Sequence, residues 1–419
     1  MLDILRPGDS RYGNFQHAYT ATGSPSAIVR VRNAGETPEA LAFALTAGGP
    51  LAVRSGGHGI SSISTNDGGT VIDLSSLNSV ERLGDTLVRL GPGARWGRVA
   101  HELYEWGLAI TSGDSGDVGV GGLATTGGIG LLSRHQGLTI DRIHAVELLT
   151  PDGVIRRVDA EHEPDLFWAV RGAGANFGIV TAVELHAGVT PVVAHATIAF
   201  DISDTAGFLE QWGVAVEAAP HIVSAFLYLG VGLAQATIVV ATDSEAEAAD
   251  ALTPFMSLPG VAGRRAHLVP YATVPLTTNA PHSGQQSAHS RSGLVNHLST
   301  EVAGVLAGLL QGIDMVQIRS VGGAINDIAA DATAYAHRHQ NFSIQAVSMS
   351  SAASLDAAWA PVRELTDGMY LSFESAHRTE HLLDAFPEPA LTRLRSLKKT
   401  WDPNRIFHQN FDITAQAGP

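Results

Sequence analysis

Between Thr111 and Gly130 the chain reads TSGDSGDVGVGGLATTGGIG, with eight glycines in twenty residues. Neither a regular helix nor a regular strand suits that density, because glycine loses more backbone freedom on ordering than any other residue. The stretch must be a structured loop, held by its surroundings or by a ligand. The other glycines are equally uneven. They gather at 55–59, 68–69, 91–97 and 172–178 and thin out after 190. This splits the chain into a half suited to cradling a ligand and a second half of different texture.

The length of 419 residues asks for two or three folding units. With 45% hydrophobic and 16% charged residues, the composition is globular rather than disordered. A net charge of −15 disfavours nucleic acid and anionic membrane as partners. The chain contains no cysteine, so disulfides, thiolate metal sites and cysteine nucleophiles are excluded. The opening MLDILRPGDSRYG lacks the pattern of a signal peptide. No stretch reaches the roughly 18 apolar residues of a membrane span. The expectation is a cytoplasmic protein acting on a small molecule. Oligomeric state is not legible.

The pattern of elements follows the same division. Thr37-Pro38-Glu39 reads as a helix start and Gly48-Gly49 as its stop. Short strands are expected at 50–54, 70–77 and 86–94. Trp96, Val99, Leu103 and Trp106 recur at helical spacing. Pro151-Asp152-Gly153 marks a hairpin, 165–174 a helix and 179–187 a strand. Past 190, apolar strands such as 192–200 and 224–242 mix with helices, as in an antiparallel sheet with helices on one face.

Arg54-Ser55-Gly56-Gly57-His58-Gly59 directly follows an expected strand. Successive amides in such a turn can converge on an anion such as a pyrophosphate. Glycine lets the backbone come close, and a histidine within the turn is not an ordinary core residue. Residues 119–124 also fit G-x-G-x-x-A, with Asp141 about twenty residues on, which imitates a Rossmann fingerprint. The context argues against that reading: TSGDSGDV separates the glycines from any strand, and Gly127, Gly128 and Gly130 would break the required helix.

Taken together, RSGGHG (54–59), DVGVGGLATTGGIGLLSRHQGLTIDRI (117–143), DLFWAVRGAGANFGIVT (165–181) and WDPNRIFHQN (401–410) resemble the berberine bridge enzyme-like FAD-linked oxidases of the vanillyl-alcohol oxidase superfamily. The resemblance implies an α+β, two-domain PCMH-type FAD-binding fold. Residues 1–187 would form the FAD-binding domain, made of two α/β subdomains. Residues 188–375 would form the substrate domain, α+β on an antiparallel sheet, and 376–419 would return to the FAD domain. It implies FAD attached through His58 to the flavin 8α-methyl. The cofactor would be held by Arg54, Ser55, Gly56, Gly57, His58, Gly59, Ser115, Val118, Gly119, Gly121, Gly122, Thr125, Gly127, Gly128, Gly130, Gly178, Ile179, Val180 and Asn410. Many relatives carry a second link from a cysteine at the position of Ser115, which a chain without cysteine cannot form.

The resemblance places a catalytic tyrosine at Tyr370 on a strand, where Ser372 replaces the asparagine of a Y-x-N motif. A phenol there would accept a proton as hydride leaves the substrate, although its ordinary pKa is about 10. Glu374 would share the strand face of Ser372 and is a rival base. The segment 333–338 resembles a family strand that would bring His337 or Arg338 to the substrate. His337 and His339 would share one face of it, although nothing at a supporting spacing completes a metal site, so no metal is expected. Asp114 and Asp117 flank Ser115 without an assignable role. The implied activity is hydride transfer from a C–H beside O or N to flavin N5, with reoxidation by dioxygen. The donor would be a natural-product alcohol or amine of secondary metabolism, or a sugar. Alternatives are a dehydrogenase with another acceptor and a flavoprotein with a non-redox cyclase or binding role.

Overall fold

Three sheets organise the chain in the computed structural model, which describes residues 1–278, 284, 288–408 and 411–415. The first contains β1 (Asp3–Leu5), β2 (Ala27–Arg30), β3 (Leu51–Arg54) and β4 (Thr70–Asp73) in the order β1-β2-β4-β3. β4 lies parallel to both β2 and β3 and is buried along its whole length, as a near-continuous apolar run in a two-sided strand requires. Its one charged residue, Asp73, faces Arg54 at 3.6 Å. The helix Thr37–Ala47 carries Pro38 in its first turn and stops at Gly48, whose φ of +70° suits glycine. Thr37 is already helical and its hydroxyl turns back to the Ala34 carbonyl.

The second sheet is antiparallel: β5 (Val80–Arg82), β6 (Leu87–Leu90), β7 (Ile143–Leu149), β8 (Ile155–Asp159) and β9 (Ile179–His186), in the order β5-β6-β9-β7-β8. β7 and β8 are joined through the Pro151–Gly153 turn, with Gly153 at φ +81°. The glycine-rich stretch lies between β6 and β7, after the helix Trp96–Glu105.

The third sheet contains β10 (Val192–Asp201), β11 (Val223–Gly230), β12 (Leu233–Val240), β13 (Val261–Pro270), β14 (His289–Val295), β15 (Met315–Ser320) and β16 (Phe342–Ser348). Its order is β13-β10-β12-β11-β15-β16-β14, antiparallel throughout. Four helices accompany it: Thr205–Ala218, Glu245–Met256, Thr300–Leu309 and Ala352–Arg363. Asp204, Ser244, Ser299 and Ser351 cap them by accepting a backbone N–H of the first turn. Strand alternation assigns the two faces. Ala225, Leu227 and Leu229 of β11 join the core with those helices, whereas Phe226 and Tyr228 turn toward the glycine-rich half. No helix among the described residues is long and apolar enough to cross a membrane.

Two expected strands are absent. The helix Pro164–Ala173 breaks at Gly172 (φ +136°), where a Cβ would lie 2.4 Å from the Tyr335 nitrogen. Residues 333–338 therefore run along that helix end as loop, with Ala334 and Tyr335 donating to the Trp168 and Arg171 carbonyls. Tyr370 likewise does not lie on a strand. Its N–H goes to the Ser292 hydroxyl, and the chain then turns through a 3₁₀ segment at Leu371–Phe373.

A buried ion pair ties the C-terminal helix Ala390–Trp401 to the glycine-rich half. Lys398, 1% exposed, donates to Asp402 at 2.7 Å and to the carbonyls of Asn176 and Phe407 at 2.5 Å each. Asp402 also accepts the N–H groups of Ile406 and Phe407. Removing one partner of such a pair strands the other charge in the core. Lys398→Met is expected to lower the stability of the fold by about 3–5 kcal/mol, read from denaturant unfolding midpoints.

Candidate active site

The site is built on one close contact between glycine turns. After β3 the chain turns at Ser55–His58, with Gly57 at φ +69°. A Cβ on Gly56 would lie 2.3 Å from the nitrogen of Gly119, and one on Gly119 would lie 2.2 Å from that of Gly56. Only glycine at both positions allows the two loops to touch backbone to backbone. Ser55 secures the contact. Its hydroxyl donates to the Pro92 carbonyl and accepts the Gly121 N–H. Gly119 then caps a single helical turn, Val120–Leu123. Gly127 and Gly128, both at positive φ, lead the chain away from a longer helix.

These loops wall a cleft of about 280 Å³. Of the residues expected to hold a cofactor, Ser55–Gly59, Val118, Gly119, Gly121, Gly122, Thr125 and Gly178–Val180 line it. His58 stands at its wall, with its ring edge-to-face with Tyr19 at 4.1 Å. Gly122 is exposed, and a Cβ there would meet nothing within 4 Å, so bare backbone opens onto the cleft. Glycine backbone, one imidazole and walls such as Val53, Leu74, Ile129 and Phe407 fit a flavin dinucleotide.

Other expected cofactor residues serve the loops instead of lining the cleft. Arg54 is buried, faces Asp73 and donates to the Phe15 carbonyl. Ser115 forms a parallel bridge with Leu276. A Cβ on Gly127 would meet the Tyr370 ring at 2.8 Å, and one on Gly130 would meet the Ser112 carbonyl oxygen at 1.9 Å. Gly128 donates its N–H to the Tyr370 oxygen at 3.0 Å. Asn410 lies outside the described residues.

Tyr370 lines the cleft and is 3% exposed. Ser372 lines it too and donates to Thr126 at 2.9 Å. Glu374 is not brought to the cleft wall. It is buried against Arg291 at 3.1 Å and accepts the Ala376 N–H, and burial pushes its carboxyl up to about 7 despite Arg291. His337 is also held away from the wall, with Nε2 3.2 Å from the Ala385 carbonyl. Arg338 is committed to both oxygens of Asp141 at 2.8 Å. His339 is exposed beside Asp367, so the H-x-H pair does not share a face. Among the described residues no group of three metal-ligating side chains occurs.

The structure adds a knot to which sequence reading gave no role. Asp114 lines the cleft opposite Arg319 of β15, their charged atoms 2.9 Å apart. Tyr228 and Gln317 donate to the same carboxylate at 2.6 and 3.2 Å. Burial alone would raise the Asp114 carboxyl, but Arg319 and these donors hold it below the usual carboxylate range. The Arg319 guanidinium lies over the rings of Phe226 and Phe373, at 4.6 and 4.4 Å from their centroids. The available signal was an arginine inside the otherwise uncharged strand MVQIRS. Asp117 is engaged elsewhere, accepting the N–H and hydroxyl of Thr278.

With the geometry in place, comparison with known proteins is informative. Residues 25–159 match an FAD binding domain. The chain is 36% identical over 227 residues to (R)-6-hydroxynicotine oxidase of Paenarthrobacter nicotinovorans, a match covering 52% of this chain and half the length of that relative. It is 28% identical over 453 residues to the FAD-linked oxidoreductase sorD of Penicillium rubens, covering 98% of this chain and 95% of that one. The fold is similar to that of xylooligosaccharide oxidase from Myceliophthora thermophila, solved with xylobiose. The TM-score is 0.88 at 22% identity, covering 100% of this chain and 98% of the other.

Burial pushes the His337 imidazole down from its usual 6.5 to about 4, so the folded chain keeps it neutral. The unfolded chain takes up that proton first, and stability is lost as pH falls from about 6.5 towards about 4. The loss from this residue is up to about 3 kcal/mol, at about 1.4 kcal/mol per pH unit. Unfolding midpoints of His337→Gln are expected to fall less steeply over that range than those of the unaltered protein.

Proposed function

We propose that this chain is a berberine bridge enzyme-like FAD-linked oxidoreductase, an oxidase of small molecules carrying its flavin on His58, a reading supported by its FAD binding domain and its similarity to FAD-linked oxidoreductases. The observation that carries this reading is that His58, the two glycine turns and Tyr370 all line one cleft. We also propose the division of labour. Residues 1–187 and 376–419 hold the cofactor, and 188–375 cover it with the seven-stranded sheet. Ser115 stands where many relatives have a cysteine, and the chain has none, so the proposed attachment is single.

Once bound, the flavin supplies a hydride acceptor at N5 and passes the electrons to dioxygen. The protein's own part is positioning and proton transfer. The turns at 55–59 and 119–122 would hold the cofactor against bare glycine backbone on the cleft wall. Tyr370, acting as its phenolate, would accept the proton that leaves the substrate's oxygen or nitrogen. The Gly128 N–H holds the phenol oxygen in place at 3.0 Å. Proton transfer by a positioned side chain contributes about 10²- to 10⁴-fold to such steps. Glu374 and His337, away from the wall, take no part in this scheme.

Acid precipitation tests the attachment: yellow colour is expected in the pellet, and in the supernatant for His58→Ala. Colour in the supernatant from the unaltered protein would refute the covalent link. Tyr370→Phe is expected to keep its flavin while anaerobic flavin bleaching by substrate slows about 10²-fold or more. An unchanged rate would remove Tyr370 from the mechanism.

A further inference from the structure

Nothing beside His58 in sequence braces it. Gly57, at φ +69°, precedes it and Gly59 follows, so neither neighbour carries a Cβ to pack on the imidazole. The brace comes from the N-terminal segment 15–24. Tyr19 donates its N–H to the Gly57 carbonyl at 2.9 Å. The Thr20 hydroxyl donates to the Ile60 carbonyl at 3.1 Å and pairs with that of Ser62 at 2.7 Å. Two consecutive residues thus grip the turn on both sides of His58. The segment is itself anchored to the same loop. Its Phe15 carbonyl accepts from Arg54, and its Gln16 carbonyl accepts the Thr65 hydroxyl at 2.8 Å. Ser24 donates its N–H to the Asn66 carbonyl at 3.0 Å.

Between these grips the Tyr19 ring stands against the imidazole, the centroids 4.1 Å apart and the planes inclined at 71°. That inclined arrangement is the favoured one for two aromatic rings. Tyr19 is 43% exposed, whereas His58 lines the cleft, so the phenol covers the imidazole from the solvent side. The ring of Tyr19 cannot drift, because its own backbone is bonded to the residue before His58.

Resting on the reading that the flavin is carried on His58, we propose that Tyr19 is the positioning residue for that attachment, its ring fixing the rotation of the imidazole on the cleft wall. The bond joins an imidazole nitrogen to the flavin 8α-carbon and replaces one methyl C–H and one imidazole N–H. The two protons and two electrons released pass to the flavin ring and then to dioxygen, which becomes hydrogen peroxide. Tyr19 neither gives nor takes a proton in that balance. Its contribution is orientation, because a nucleophile free to swing between rotamers is seldom in line with its target.

Attachment kinetics test this. Full-length protein from riboflavin-starved cells is incubated with FAD in air, and the flavin retained by the acid-precipitated pellet is followed with time. Tyr19→Phe, which keeps the ring, is expected to attach flavin at the unaltered rate. Tyr19→Leu is expected to be about ten-fold slower, the upper worth of one aromatic pair. Tyr19→Met serves the same comparison if Tyr19→Leu does not fold. A second readout needs no flavin. Both ring nitrogens of His58 are shielded from bulk water. Modification of His58 by diethyl pyrocarbonate, located by peptide mass, is expected to run severalfold faster in Tyr19→Leu than in the unaltered protein. Tyr19→Leu attaching flavin as fast as the unaltered protein, or Tyr19→Phe as slowly as Tyr19→Leu, would overturn the proposal. If the unaltered protein attaches no flavin, the reading of His58 as the anchor fails instead. The modification rates then decide alone whether Tyr19 positions the ring: the expected difference upholds it and equal rates overturn it.

Discussion

The whole arrangement depends on the contact between Gly56 and Gly119. Two backbones from segments sixty residues apart meet at a distance that excludes any Cβ on either side. One segment leaves β3, which pairs in parallel with β4, and the other precedes an antiparallel sheet. Their contact joins the two loops that wall the cleft. The cost is steep, because glycine surrenders much conformational freedom when ordered. Neighbouring groups offset part of it. The Ser55 hydroxyl bridges Pro92 and Gly121, and the Gly121 N–H also reaches the Pro92 carbonyl.

A second seam joins the glycine-rich half to the sheet-rich half, and it is polar where the first is bare backbone. Gly128 to Tyr370, Thr126 to Ser372 and Asp114 to Arg319 cross it side by side. Three cleft-lining residues of the second half, Tyr370, Ser372 and Arg319, are thereby registered against the loop that carries the glycines. Each of these pairs forms only in one register of the two halves, which favours one relative placement over many.

Much of this was legible in the residues. The density of glycine at 111–130 forbade regular structure, and the loop is irregular apart from one short helical turn. The apolar run at 192–200 and the alternation at 179–187 marked strands that do form, although β9 is buried on both faces rather than on one. The wrong expectations shared one cause. The segments 333–338 and 370–374 were read as strands, but their backbone groups are claimed by distant partners, the broken helix end near Gly172 and the Ser292 hydroxyl. No local pattern encodes a partner so remote in sequence. The same holds for Asp114 and Arg319, which are 205 residues apart and acquire meaning only when the fold brings them together. The place of His58 in a glycine turn on the cleft wall was legible because its glycines are its neighbours in sequence.

The Lys398 knot has a consequence for the order in which the molecule comes into being. Phe407 forms part of the cleft wall, and Lys398 grips its carbonyl together with that of Asn176, just before Gly178 of the same wall. On a ribosome, every glycine of the cradle emerges before the residues that close it. In a growing chain the cleft wall is therefore incomplete until Lys398 and Phe407 have followed the glycine turns.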